Sequence, residues 1–153
     1  MAAKDFHLIT EWRLNAPIER VWALLTAVED WPSWWPAVKR VELIEAGDET
    51  GVGALRRMTW RTALPYALSF DMRSTKVEPL TLIEGQASGE LDGLGRWTLR
   101  TEGDVTLVRY DWIVAVSKPW MRLFAPIFRP VFAWNHKKVM NWGLDGIRRQ
   151  LGR

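Results

Sequence analysis

The sequence predicts an α+β fold in which a seven-stranded antiparallel sheet curls around one long C-terminal helix, with two short helices after the first strand. Three observations carry this reading. From Val38 to about Val116, apolar and polar residues alternate between clusters of Gly, Pro and Asp, the pattern of an antiparallel meander. After Ser117-Lys118-Pro119 the period becomes helical and stays so to the end. A sheet of this size has one face to bury, and the final helix is the only element long enough to cover it, so the sheet must wrap around that helix.

The elements follow in order. Phe6 to Leu14 alternates as a strand, with Phe6, Leu8, Thr10, Trp12 and Leu14 on one side. Asn15 is the expected N-cap and Pro17 falls in the first turn of a helix whose apolar face is Ile18, Val21, Trp22, Leu24 and Leu25. The segment Glu29 to Pro36 follows; its prolines allow one or two turns, and Trp31, Trp34 and Trp35 are expected to cap one end of the core. Six strands come next, over 38–46, 53–62, 66–78, 81–88, 94–101 and 105–116, with Gly89 to Gly93 among the turn signals. In the last segment Trp120, Phe124, Phe128, Phe132, His136, Met140 and Leu144 recur every four residues. Leu123, Ile127, Val131, Val139, Trp142 and Ile147 fill the neighbouring positions. Pro126 and Pro130 predict a break between Phe124 and Pro130, with the longer helix running from about Pro130 to Leu151.

Composition bounds the function. The chain has 153 residues, 48% hydrophobic and 25% charged, which fits one folded domain over 1–153 and excludes disorder, collagen and coiled coil. Cysteine is absent, which removes thiol nucleophiles, iron-sulfur clusters and cysteine-ligated zinc; with only His7 and His136, no metal and no cofactor is expected. The N-terminal stretch lacks the apolar core of a signal peptide and no run approaches a membrane span, so a cytoplasmic protein is expected. Eleven tryptophans against two tyrosines and five phenylalanines point to an extensive apolar contact surface. Residues 118–153 carry eight basic side chains against Asp145 alone, a basic segment on a mildly acidic body.

Several residues also carry a family resemblance: Ala16-Pro17 before Val21-Trp22 and Leu25, then Trp31-Pro32 and Trp34 to Val38, Glu78-Pro79, Gly89 and Gly93, Trp97, and Thr106 to Trp112 before a long helix. In their order and spacing these resemble the START-like or SRPBCC superfamily, the helix-grip fold of polyketide cyclases, birch-pollen-type allergens and lipid-transfer domains. The resemblance implies a deep apolar cavity between sheet and helix that holds a hydrophobic small molecule. It implies no shared catalytic motif, so the catalytic residues stay unknown and site residues must be read from parity.

On the third strand Ala54, Arg56, Met58, Trp60 and Thr62 form the more apolar set and are expected to face inward. Arg56 could then pair with a ligand oxyanion through its planar fork, or bridge to Glu84 or Asp71. Leu68, Phe70 and Met72 are expected on the lining, with Asp71 outward. Trp97 and Leu99 share an inward face, and Tyr110 and Trp112 form the inward pair of the last strand, each needing a hydrogen-bond partner if buried. Parity does not orient Glu84; inward, burial would raise its pKa and make it a general-base candidate. His136 shares the helix stripe with Phe132 and could orient a ligand, act as acid or base, or bond to Asn135 or a loop carbonyl.

These observations support a monomeric or dimeric carrier or sequestering protein for a lipid, quinone or polycyclic compound. Arg56, Met58, Trp60, Phe70, Trp97, Tyr110, Trp112, Phe132 and His136 are its candidate binding residues. Two alternatives stay open: a polyketide cyclase or aromatase using cavity Arg, Tyr, Glu or His, and a lipid carrier docking on anionic membranes through the basic aromatic segment. The acidic body and the absence of any nucleic-acid motif argue against nucleic acid as a partner.

Overall fold

The structure, a computed structural model, describes residues 6–65, 67–89, 91–116, 123 and 125–152, with the side chains of Val116, Ala125 and Phe128 excepted. Its strands are β1 (Phe6–Leu14), β2 (Val38–Glu45), β3 (Leu55–Arg61), β4 (Ala67–Glu78), β5 (Leu82–Gly89), β6 (Leu91–Glu102) and β7 (Val105–Val116). All neighbours pair antiparallel in the order β1-β7-β6-β5-β4-β3-β2, so the meander turns back on itself and β1 closes onto β7. Helix α1 (Ile18–Thr26) and a 3-10 segment (Val28–Ser33) separate β1 from β2, and α2 (Ala125–Leu151) ends the fold. This is the expected curled sheet with a long C-terminal helix.

Three local expectations are corrected. Asn15 does not cap α1; Pro17 stands at the N-cap in extended conformation, and its carbonyl accepts from Arg20 N at 3.1 Å and Val21 N at 3.3 Å. Gly89 to Gly93 is not a loop: β5 runs to Gly89, whose φ of +108° suits a glycine, and β6 resumes at Leu91, with Ala87 paired to Gly93. α2 starts at Ala125 and passes through Pro130 instead of starting there. Pro126 lies in the first turn, where no N–H is needed, and Pro130 removes only one backbone bond from a helix of 27 residues. The expected stripe residues Trp120 and Phe124 lie outside the described residues.

The packed core lies at one end of the sheet and is dominated by tryptophan. Trp35 is fully buried; its ring centroid lies 4.9 Å from Trp60, 5.3 Å from Trp31 and 5.8 Å from Trp12. Its Nε1 donates to the Val139 carbonyl of α2 at 2.9 Å, and Trp31 Nε1 donates to Leu24 O at 3.2 Å. Trp31, Trp34 and Trp35 therefore cap this end as expected, and Val139, Met140 and Ile147 of α2 pack into the same cluster. Arg20 of α1 donates to the Leu151 carbonyl at 2.9 Å, placing a cation on the C-terminus of α2.

Two helical glycines make this packing feasible. A Cβ on Gly143 would lie 2.5 Å from the Trp35 ring, and one on Gly146 would lie 1.9 Å from the Trp34 carbonyl oxygen. An exposed helical glycine gains roughly 0.5–1 kcal/mol when replaced by alanine. Gly146→Ala is expected to do the opposite and destabilise the fold by roughly 1–3 kcal/mol, the cost of overpacking. Urea denaturation decides it: an unchanged or raised midpoint would show that α2 does not lie against Trp34.

Candidate functional site

Beyond the tryptophan cluster the helix and sheet part, and a cavity of about 730 Å³ opens between them. Its walls come from strand parity. Arg56, Met58, Trp60 and Thr62 of β3 and its edge, Leu68, Phe70 and Met72 of β4, Ile83 and Gly85 of β5, Gly95 and Trp97 of β6, and Tyr110 and Trp112 of β7 face it. Phe132, His136, Val139 and Met140 of α2 close it from the other side. All nine candidate residues named from the sequence thus stand on one wall surface. Leu99 shares the parity of Trp97 and is buried, but it does not line the cavity.

The polar groups on this wall differ in their partners. Arg56 donates from Nε to Glu29 Oε1 at 2.8 Å and from Nη1 to Ser74 Oγ at 3.4 Å. Its partner is therefore neither Glu84 nor Asp71, which are engaged elsewhere: Asp71 Oδ1 accepts from Arg57 Nε at 2.9 Å on the outer face. Glu84 borders the cavity, but its carboxylate is held by Arg96, with Nε at 2.8 Å and Nη2 at 2.5 Å from Oε1. Pairing places Glu84 opposite Arg96 and the neighbouring Gly85 opposite Gly95, so the alternate set of β5 faces inward. This removes Glu84 as an inward general base.

His136 and Tyr110 are different. Their rings lie nearly parallel, 13° apart with centroids 6.4 Å from each other. Among the described residues His136 Nε2 is buried without a hydrogen-bond partner, and Asn135, its expected partner, instead accepts from Ala63 N at 2.9 Å. Burial lowers the imidazole pKa to about 4, so the ring is neutral at pH 7. Burial also raises the Tyr110 phenol well above its usual value, which keeps it an O–H donor. The hydroxyl reaches its position because β6 carries glycine opposite it: a Cβ on Gly95 would lie 2.7 Å from Tyr110 Oη. Trp60 Nε1, on another part of the wall, is a further buried donor without a partner. Among the described residues no three His, Asp or Glu side chains gather as a metal site.

Residues 6–152 match the family described as polyketide cyclase/dehydrase and lipid transport. The chain belongs to that family. Solved structures agree on the fold. The ZhuI aromatase/cyclase of Streptomyces sp. R1128 superposes with a TM-score of 0.76 at 17% identity, over 97% of this chain and 94% of its own. A START superfamily protein of Mycobacterium smegmatis gives 0.78 at 13% identity, over 95% and 97%. Ginseng major latex-like protein 151 of Panax ginseng gives 0.62 at 16%, over 85% and 97%. No curated protein matches the chain.

Other residues on the cavity wall and beside it were not singled out from the sequence. Glu29 was not legible as the counter-ion of Arg56 because it lies in the 3-10 segment, 27 residues away. Ser74 and Asn135 also border the cavity. Gly95 did carry a signal, a glycine at the inward parity of a strand beside Trp97.

The neutral state of His136 has a measurable consequence. The unfolded chain takes up this proton near pH 6.5 and the folded chain only near pH 4. The stability linked to this site is therefore complete above pH 6.5 and is lost as pH falls towards 4, by on the order of 3 kcal/mol. In urea titrations His136→Gln should flatten the stability profile between pH 6.5 and 4.5 relative to the parent. Parallel profiles would show that the imidazole is not buried neutral.

Proposed function

We propose that this protein binds a hydrophobic small molecule, such as a lipid, quinone or polycyclic compound, in the cavity between sheet and helix, as a carrier or sequestering protein. The observation that carries the reading is the cavity itself, about 730 Å³ with walls of Met, Leu, Phe and Trp. Pockets for drug-sized ligands span roughly 300–1,000 Å³ and are mostly apolar with a few placed polar groups. Transfer of an apolar ligand into such walls is favourable by about 25 cal/mol for each Å² removed from water. The rings of Trp97, Tyr110 and Trp112 stack one upon the next along β6 and β7, with centroids 4.2 and 6.2 Å apart, and form an aromatic stretch of the wall suited to an apolar ligand.

Native mass spectrometry of the purified protein, followed by organic extraction and a Nile red titration, tests this directly. The expected result is a co-purifying apolar molecule or saturable dye uptake, abolished by Met58→Trp, which fills the cavity, and weakened by Trp112→Ala. A protein that carries nothing and takes up no dye would overturn the reading.

A second observation favours exchange of that ligand at a membrane. Leu123, Ile127, Val131 and Trp134 lie at helical spacing on the N-terminal part of the C-terminal segment and are 41–75% exposed. Val131 also borders the cavity, and Lys138 places its ammonium 5.7 Å from the Trp134 ring, with Lys137 exposed beside it. An exposed apolar ridge flanked by lysines suits the boundary between anionic headgroups and acyl chains. No helix among the described residues is long and apolar enough to cross a membrane, so the contact would be superficial. Co-sedimentation with phosphatidylserine-containing vesicles is expected at low salt, lost at high salt and in Ile127→Asp. Indifference to these vesicles at low salt would remove the membrane step.

A further inference from the structure

We propose that the cavity selects neutral ligands bearing a hydroxyl or carbonyl oxygen and discriminates against carboxylates and other anions of the same shape. The inference rests on the binding function proposed above and specifies its ligand class.

The first support is the charge on the wall. Among the described residues that line the cavity, only Arg56 and Glu84 carry a formal charge. Each is already neutralised by a partner that does not line it: Arg56 by Glu29 at 2.8 Å, and Glu84 by Arg96 at 2.5 Å. An incoming carboxylate would lose its water and could meet Arg56 only as a second anion on a cation already paired with Glu29. Moving an ionised carboxylate into apolar surroundings without a counter-ion is strongly unfavourable.

The second support is the set of groups that have no partner. Among the described residues His136 Nε2 from α2 and Trp60 Nε1 from β3 are buried and unpaired, and Tyr110 from β7, whose hydroxyl lies beside Gly95, lines the same cavity. The Tyr110 and His136 rings lie nearly parallel, 6.4 Å between centroids, so sheet and helix each bring a polar ring to the same cavity. A phenol donates and accepts, an indole N–H donates, and an uncharged imidazole does either according to tautomer. A hydroxyl or carbonyl satisfies such groups; an apolar ligand leaves them orphaned, as they are now. Among the described residues the other titratable groups that border the cavity are Arg56 from β3 and Glu84 from β5, both paired. Burial keeps His136 uncharged at pH 7, so it supplies no cation either.

Three ligands of one shape separate the terms: 1-methylpyrene, 1-pyrenemethanol and 1-pyrenecarboxylate, followed by energy transfer from tryptophan to pyrene at pH 7. We expect 1-pyrenemethanol to bind most tightly, and 1-pyrenecarboxylate more weakly by roughly 10-fold or more. Tyr110→Phe and His136→Phe should each collapse the ratio of pyrenemethanol to methylpyrene affinity. Glu29→Gln frees Arg56 and should raise pyrenecarboxylate affinity by roughly 10-fold. Carboxylate binding equal to or tighter than the alcohol in the parent protein would overturn the proposal while leaving the carrier reading standing. Failure of all three pyrenes to bind would instead overturn the carrier reading, and the selectivity with it.

Discussion

The arrangement depends on how closely α2 approaches the 3-10 segment. The Trp34 carbonyl and the Trp35 ring occupy the space that side chains at Gly146 and Gly143 would fill, and Trp35 ties its Nε1 to the backbone of α2 at Val139. A helix can meet a tryptophan backbone this closely only where it presents hydrogen in place of Cβ. The contact fixes the C-terminal half of α2 against the sheet, and Arg20 on its last carbonyls holds the end of the helix to α1. The small residues thus serve the packing, and their low helix propensity is offset by the burial of Trp34 and Trp35.

Once one half of the helix is clamped, the other half spans the open part of the curled sheet, and the cavity follows. Its persistence depends on stiff walls. Cores collapse around voids when side chains can repack, and the cost of a cavity reflects how far its surroundings relax. Here Trp97 lies 4.2 Å from Tyr110 and Phe70 lies 6.1 Å from Trp112, centroid to centroid, so the rings brace one another along β4, β6 and β7. Aromatic side chains have few torsions to readjust. The unusual supply of tryptophan therefore serves two purposes, filling one end of the fold and stiffening the other.

Much of this was legible in the sequence because strands obey a period of two. Once alternation fixes which set of β3, β4, β6 and β7 faces inward, Arg56, Met58, Phe70, Trp97, Tyr110 and Trp112 must converge on the same side. The stripe of α2 placed Phe132 and His136 opposite them for the same reason. What periodicity cannot supply is the partner of a polar group. Glu29 meets Arg56 through a turn whose direction no local pattern encodes, and Asn135 turns to Ala63 instead of to its neighbour His136. Glu84 was ambiguous because neither set of β5 is decisively apolar; pairing with Arg96 settles its side. The extent of β6 was hidden by Gly89 and Gly93, which read as a turn but lie within the sheet.

Unpaired polar groups occur in both halves of the molecule, and their positions give them different meanings. Trp12 and Trp34 each bury an indole N–H without a partner among the described residues, and neither ring lines the cavity. Those orphans are a cost of filling a core with indoles, offset by the area each ring buries. Trp60 and His136 stand on the cavity wall, where an oxygen from outside the protein can complete them. Among the described residues, every charge on the same wall is already paired. A cavity that satisfied its ions and left its neutral hydrogen-bonding groups open has an electrostatic preference built in before any ligand arrives, because the unmet groups, not the met ones, decide what is gained on binding.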